Sequence, residues 1–138
     1  MKIKNLVPYL SFLIILASCA GKKDTPPDNA TETGRVFIRA SLDGDFKTAE
    51  KYILPDTVNQ QLFDSYKRYY ERLPNQQKVN YQKASYEINK LTEQHDSTVI
   101  NYSNSYMKKP MDILVVKNNN GWLIDFKYGY DRADSTNP

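Results

Sequence analysis

The spacing of apolar residues changes once along this 138-residue chain, and that change bounds the architecture. Up to Pro74 the apolar positions recur at helical spacing, whereas beyond Ser85 they alternate. In the first part Val36, Phe37 and Ala40 share one face, with Thr33 as the predicted N-cap and Asp43-Gly44-Asp45 as the break. Phe46, Ala49, Tyr52 and Ile53 form a second, short helix capped by Asp45 and stopped by Pro55. A longer third helix opens at Asp56 or Thr57. Its expected inward stripe is Val58, Leu62, Tyr66, Tyr69 and Leu73, ending at Pro74.

A polar stretch rich in Gln and Lys separates these helices from the strands. Tyr86 and Ile88 begin the alternation, followed by Thr98, Ile100 and Tyr102, then Ile113 to Val116, then Trp122, Ile124, Phe126 and Tyr128. Glu93 to Asp96, Lys108-Lys109-Pro110 and Asn118 to Gly121 read as turns, the last carrying an Asn-Gly pair that tolerates positive φ. Helices first and an antiparallel meander afterwards predict an α+β domain over residues 33–130, with the N-terminal helices packed on one sheet face. Residues 131–138 are polar and expected to fray.

The N-terminus has a different logic. Lys2 and Lys4 precede an apolar run, Leu6 to Ala17, which is too short to span a membrane. It ends in Leu16-Ala17-Ser18-Cys19, which resembles the bacterial lipobox, so residues 1–18 read as a signal peptide and Cys19 as the acylated residue. Cys19 is the only cysteine and has no internal disulfide partner, which agrees with lipidation. An acyl cysteine holds a chain on a membrane without a spanning helix. Ala20 stands where an Asp would resemble the inner-membrane retention signal, so the outer membrane of a bacterial envelope is the expected location. Lys22-Lys23-Asp24 weakly resembles surface-export signals, leaving the periplasmic and exterior sides both open. Residues 19–32 hold no large apolar side chain and read as a flexible tether.

Charge narrows the partners. Of 19 basic residues two lie in the leader, which leaves the body close to balance with its 16 acidic residues. Such a body has no electrostatic footprint for nucleic acid.

Two segments resemble a known family. Arg35 to Ile53, R-V-F-I-R-A-S-L-D-G-D-F-K-T-A-E-K-Y-I, looks like the opening helical hairpin of the nuclear transport factor 2-like superfamily. Asp112 to Phe126, D-I-L-V-V-K-N-N-N-G-W-L-I-D-F, is similar to the last hairpin of small bacterial lipoproteins of that fold. The resemblance implies a curved sheet wrapped around helices as a cone with an apolar pocket. It implies no reaction, since that superfamily holds isomerases, dehydratases, transport factors and members without catalysis.

Candidate chemistry is sparse. His95, the only histidine, sits in a hairpin tip and reads as solvated. One histidine and one cysteine make no metal site, and no cofactor is expected. Asp125 should face solvent opposite Ile124, paired with Lys127 or a neighbouring strand, and Asp43 and Asp45 serve a turn and a cap. The eleven tyrosines are the oddity. Tyr52, Tyr66, Tyr69 and Tyr102, with Trp122 and Phe126, are the expected pocket lining, suited to a flat or sugar-like ligand. Tyr70, Tyr86, Tyr106, Tyr128 and Tyr130 lie near enough in the pattern to join them.

Leu114, Val116 and Leu123 fall opposite the expected core face, where superfamily relatives often dimerise, so a sheet-to-sheet homodimer is the expected self-association. Three triplets centred on Thr57, Ser97 and Ser135 resemble an envelope O-glycosylation motif, although helix capping accounts for Asp56-Thr57 without it. The leading expectation is a lipid-anchored, non-catalytic envelope protein binding a small ligand or a protein partner through its cone. An isomerase or hydratase-like enzyme using a pocket Tyr or Asp, and a purely structural envelope factor, are the alternatives. Replacing Cys19 with Ser is expected to move the protein from the membrane to the soluble fraction, and extraction that still requires detergent would contradict lipidation.

Overall fold

The computed structural model describes residues 25–135. The expected signal peptide, Cys19, the start of the expected tether and residues 136–138 lie outside the described residues. Helix α1 spans Ala30–Asp43 and begins before the expected cap, because Asn29 supplies the oxygen that accepts the Glu32 N–H at 2.9 Å. Thr33 lies inside the first turn and is buried, its hydroxyl donating to the Asn29 carbonyl at 3.0 Å. Residues 30–32, expected in the tether, are therefore helical. At the other end Gly44 adopts φ 73° and returns its N–H to α1 carbonyls, a left-handed cap that glycine fills without strain. A Cβ there would also meet the Tyr70 ring at 2.8 Å.

Helix α2, Phe46–Glu50, is capped by Asp45, and α3, Thr57–Glu71, by Asp56. Donated hydrogen bonds lower both carboxyls from their ordinary value, the Thr48 hydroxyl and then its amide acting on Asp45, and the Asn59 backbone and side-chain amides on Asp56. A fourth helix, α4 over Asn75–Lys83, precedes the strands where three helices were expected. It buries no residue fully, so it left no apolar stripe to read. Arg39 ties it down from α1: the guanidinium donates to the Ala84 carbonyl at 2.8 Å and the Gln82 carbonyl at 3.2 Å while pairing with Asp43 at 2.7 Å.

Strands β1 Tyr86–Gln94, β2 Ser97–Asn104, β3 Met111–Asn118 and β4 Gly121–Asp125 form one antiparallel meander in sequence order. Register pairs Ile100 with Ile113 and Val115 with Ile124, so these four share the face that the helices cover. Helix α1 comes close to it at Gly34, where a Cβ would collide with Ile100. The free edge of β4 is partly covered by Tyr52–Leu54: Ile124 donates to the Tyr52 carbonyl at 2.6 Å and Leu54 to the Ile124 carbonyl at 3.0 Å.

The α3 stripe and the end of the last strand also differ from expectation. The buried residues of α3 are Asn59, Phe63 and Tyr70, while Val58 and Tyr69 are exposed. The helix carries large side chains on adjacent faces, and the Phe63 ring takes the interior position. The last strand also stops earlier than its alternation suggests. It ends at Asp125, and α5, Lys127–Ser135, follows, so Tyr128 is helical and the helix continues into the segment expected to fray.

Asp125 is not a solvated strand residue, although it does pair with Lys127 at 3.5 Å. Its carboxylate accepts from Asn59 Nδ2 at 3.1 Å, while Nδ2 also donates to Asp56 at 2.7 Å. Asn59 Oδ1 accepts the Lys127 backbone N–H at 2.9 Å. One fully buried carboxamide thus joins the start of α3 to the β4–α5 junction. Asn59→Ala should lower stability by about 3 kcal/mol, because a buried donor and acceptor set is left unmade. Urea denaturation measures this, and a loss under about 1 kcal/mol would show that the carboxamide is not the tie.

Candidate functional site

Between the helices and the sheet the space is occupied by aromatic rings in mutual contact. Phe63 is the hub, with ring centroids 5.5 Å from Phe126, 6.0 Å from Phe46, and 6.4 Å from both Phe37 and Tyr66. Most of these pairs are tilted or edge-on, the orientations that ring quadrupoles favour. From this hub the rings run outward. Phe46 meets Tyr66 at 5.6 Å and Tyr70 at 5.1 Å, Tyr70 meets Tyr81 at 5.9 Å, and Tyr81 meets Tyr106 edge-on at 4.9 Å. On the other side Phe126 meets Tyr130 at 5.6 Å.

The hydroxyls of this cluster share one electrostatic environment. Burial pushes the Tyr66 hydroxyl far above the ordinary tyrosine value, and the neighbouring Tyr102, Tyr81, Tyr70 and Tyr130 push in the same direction. Burial likewise raises Tyr102 to about 12, with Tyr81 adding to it. Tyr70, Tyr81 and Tyr130 are raised too, chiefly by burial. No cation is among the groups acting on Tyr66, so nothing there would stabilise a tyrosinate. Burial thus favours the protonated form of these hydroxyls at neutral pH.

At the rim the aromatic material reaches solvent. Tyr69 is 55% exposed, Met107 47% and Tyr130 43%. Tyr69 also acts electrostatically on Tyr81, and Met107 directly follows Tyr106, which places both beside the ring series. Of the six residues expected as a lining, Tyr66, Tyr102 and Phe126 converge here and Tyr69 stands at the rim. Tyr52 and Trp122 pack partly against the core elsewhere along β4, Trp122 with the Lys117 ammonium 5.6 Å from its ring. Tyr81 was missed because α4 was missed. A tyrosine in an otherwise polar Gln- and Lys-rich stretch was the available signal.

Other candidates stand apart from the cluster. His95 is 96% exposed at its hairpin turn, 3.8 Å from Asp96. Among the described residues no group of His, Cys, Asp and Glu is placed to hold a metal ion, and no helix is long and apolar enough to cross a membrane. Two surface depressions, one at the Ser85 and Lys108 end of the β1–β2 hairpin and one along α1, lie outside the space between helices and sheet. No protein-family model, curated protein or solved structure matches the chain.

Both strongly raised hydroxyls keep their protons in the folded chain at pH values where the unfolded chain loses them. Their contribution to stability is whole below about pH 10 and is lost as the pH rises through the folded values. Alkaline unfolding is therefore expected from about pH 10 upward, accompanied by a late rise of tyrosinate absorbance. A Tyr66→Phe, Tyr102→Phe double variant should shift that unfolding to higher pH; an unchanged alkaline limb would show that these hydroxyls do not govern it.

Proposed function

We propose that the chain is a lipid-anchored, non-catalytic protein of the bacterial envelope, on the outer membrane, whose folded domain binds a ligand through the tyrosine-rich face. The carrying observation is the ring series that runs outward from the phenylalanine cluster through Tyr66, Tyr70, Tyr81 and Tyr106, with Tyr102 acting on Tyr66 and with Tyr130 on the Phe126 side, while Tyr69 and Met107 are exposed. Rings with hydroxyls at their edges stack on the apolar face of a flat ligand and bond its polar margin, which suits a polysaccharide-derived ligand. The Leu16-Ala17-Ser18-Cys19 tetrad supports the anchor. A domain of the nuclear transport factor 2-like kind, with its sheet curved into a cone, is supported by the order of helices before an antiparallel meander and by the Gly44 break between α1 and α2. Rings pack the interior, so ligand contact falls on the rim and not in a deep pocket.

The outer face of the sheet supports a second contact, a homodimer. Val99, Leu114 and Val116 lie half-buried there, whereas Leu123, expected on that open face, is buried already in the single chain and has little surface left to contribute.

Co-sedimentation with purified envelope polysaccharide tests the ligand face. A Tyr69→Ala, Tyr106→Ala double variant should weaken retention by about tenfold, the loss typical of a truncated aromatic anchor. Equal retention of the variant and the parent protein would remove the tyrosine face from the function.

A further inference from the structure

The third and fourth helices are out of charge balance with the rest of the chain. Residues 57–83 hold five basic side chains, Lys67, Arg68, Arg72, Lys78 and Lys83, against two acidic ones, Asp64 and Glu71, whereas the body as a whole is close to neutral. Among the described residues none of the five belongs to a salt bridge, so ion pairing does not cancel the excess. Asp64 and Glu71 lie within one turn of Arg68, yet its guanidinium turns elsewhere: Nη2 donates to Ser65 Oγ at 3.0 Å. Arg72 lies back along the helix as well, its Nε donating to the Arg68 carbonyl at 3.0 Å.

These two contacts set both guanidiniums around one exposed ring. On a helix, residues three and four apart are surface neighbours, about 5–6 Å apart at Cβ. Tyr69, 55% exposed, therefore has Arg72 beside it one turn on, and one turn back it has Ser65, to which the Arg68 guanidinium is bonded. A cation at a helix C-terminus offsets the dipole, which accounts for Arg72 at the last carbonyls. It does not account for Arg68, whose guanidinium reaches back toward the middle of α3. A third cation completes the end of the helix: Lys78 of α4 donates to the Glu71 carbonyl at 2.7 Å. Lys78 stands one turn before Tyr81, which meets the rings of Tyr70 and Tyr106.

We propose that this end of the tyrosine face binds a sugar carrying a carboxylate, a uronate unit of an envelope polysaccharide, with its ring on Tyr69 and its carboxylate on the guanidiniums of Arg68 and Arg72. The inference rests on the reading of the tyrosine face as a ligand surface and names the chemistry of that ligand. A guanidinium presents five N–H donors in a planar fork, and the contacts above use one from each arginine, which leaves paired donors for a carboxylate. A neutral sugar would stack on Tyr69 equally well but leave both cations without a partner, and a cationic one would be repelled. A nucleic-acid strand also combines flat rings with anions, but it carries a charge at every nucleotide and calls for a basic groove along its length, which the near-balanced body does not supply.

The test is co-sedimentation of the full-length protein with purified envelope polysaccharide, intact and after its carboxyl groups have been reduced to alcohols. The intact form should bind about tenfold more tightly than the reduced form, and the difference should shrink in about 0.5 M salt. An Arg68→Gln, Arg72→Gln variant should lose about tenfold on the intact polysaccharide and bind the reduced form as the parent does. Both side chains are exposed and glutamine is a good helix former, so the fold is expected to persist, which thermal unfolding checks. Comparing intact with reduced polysaccharide leaves the protein unaltered, so it decides the proposal whatever the stability of the variant. Equal binding of the two forms would overturn the uronate, and the tyrosine face would stand if the Tyr69→Ala, Tyr106→Ala variant still weakened both. Loss of binding on reduction while the arginine variant binds normally would put the carboxylate elsewhere and overturn the proposal too. So would competition by oligothymidylate that equals competition by the intact polysaccharide. Retention of neither form would overturn this inference and the tyrosine face together.

Discussion

The carboxamide of Asn59 is the constraint on which the rest of the domain depends. A primary amide with no exposure to water must have its hydrogen bonds supplied by protein, and Asn59 draws them from Asp56, Asp125 and the Lys127 backbone. Those partners belong to the start of α3 and to the turn where β4 becomes α5. Meeting the demands of one side chain therefore sets how the longest helix lies on the last strand. Phe63, one turn along α3, is carried to the centre of the interior by the same docking, and the rings of Phe37, Phe46, Tyr66 and Phe126 pack around it.

From that hub the character of the surface follows. Aromatic side chains fill the interior, and their successors toward the rim are tyrosines, whose rings pack while their hydroxyls stay near water or near one another. Burial favours the protonated form of these hydroxyls. At the far end of the β1–β2 hairpin the surface is mostly polar, with three serines, Asn104, Glu87 and Lys108 beside Tyr86.

Much of the architecture was legible in the residues. The change from helical to alternating spacing placed α1, α2 and α3 before the meander, and the strand-face residues Ile100, Ile113, Val115 and Ile124 behave as alternation requires. Polar caps were legible too, though Asn29 displaced Thr33, because either side chain can accept the first free amides and a threonine can instead bond back within the helix. Helix α4 was not legible, since a helix held by hydrogen bonds from Arg39 to its terminal carbonyls needs no apolar stripe. The site was legible in part. Tyrosine enrichment pointed to Tyr66, Tyr69 and Tyr102, whereas Tyr52 and Trp122, equally plausible in the pattern, pack elsewhere along β4.

By itself the sequence determined what local chemistry can determine: element type from the period of apolar residues and breaks from Gly and Pro. Tertiary structure alone decided which of two adjacent aromatic faces of α3 turns inward, where β4 gives way to helix, and which tyrosines meet. Periodicity carries the spacing of residues along one element but no information about its rotation against a neighbour. That rotation is settled only when Asn59 finds its partners and Phe63 its place among the other rings, across separations in sequence that no local pattern records.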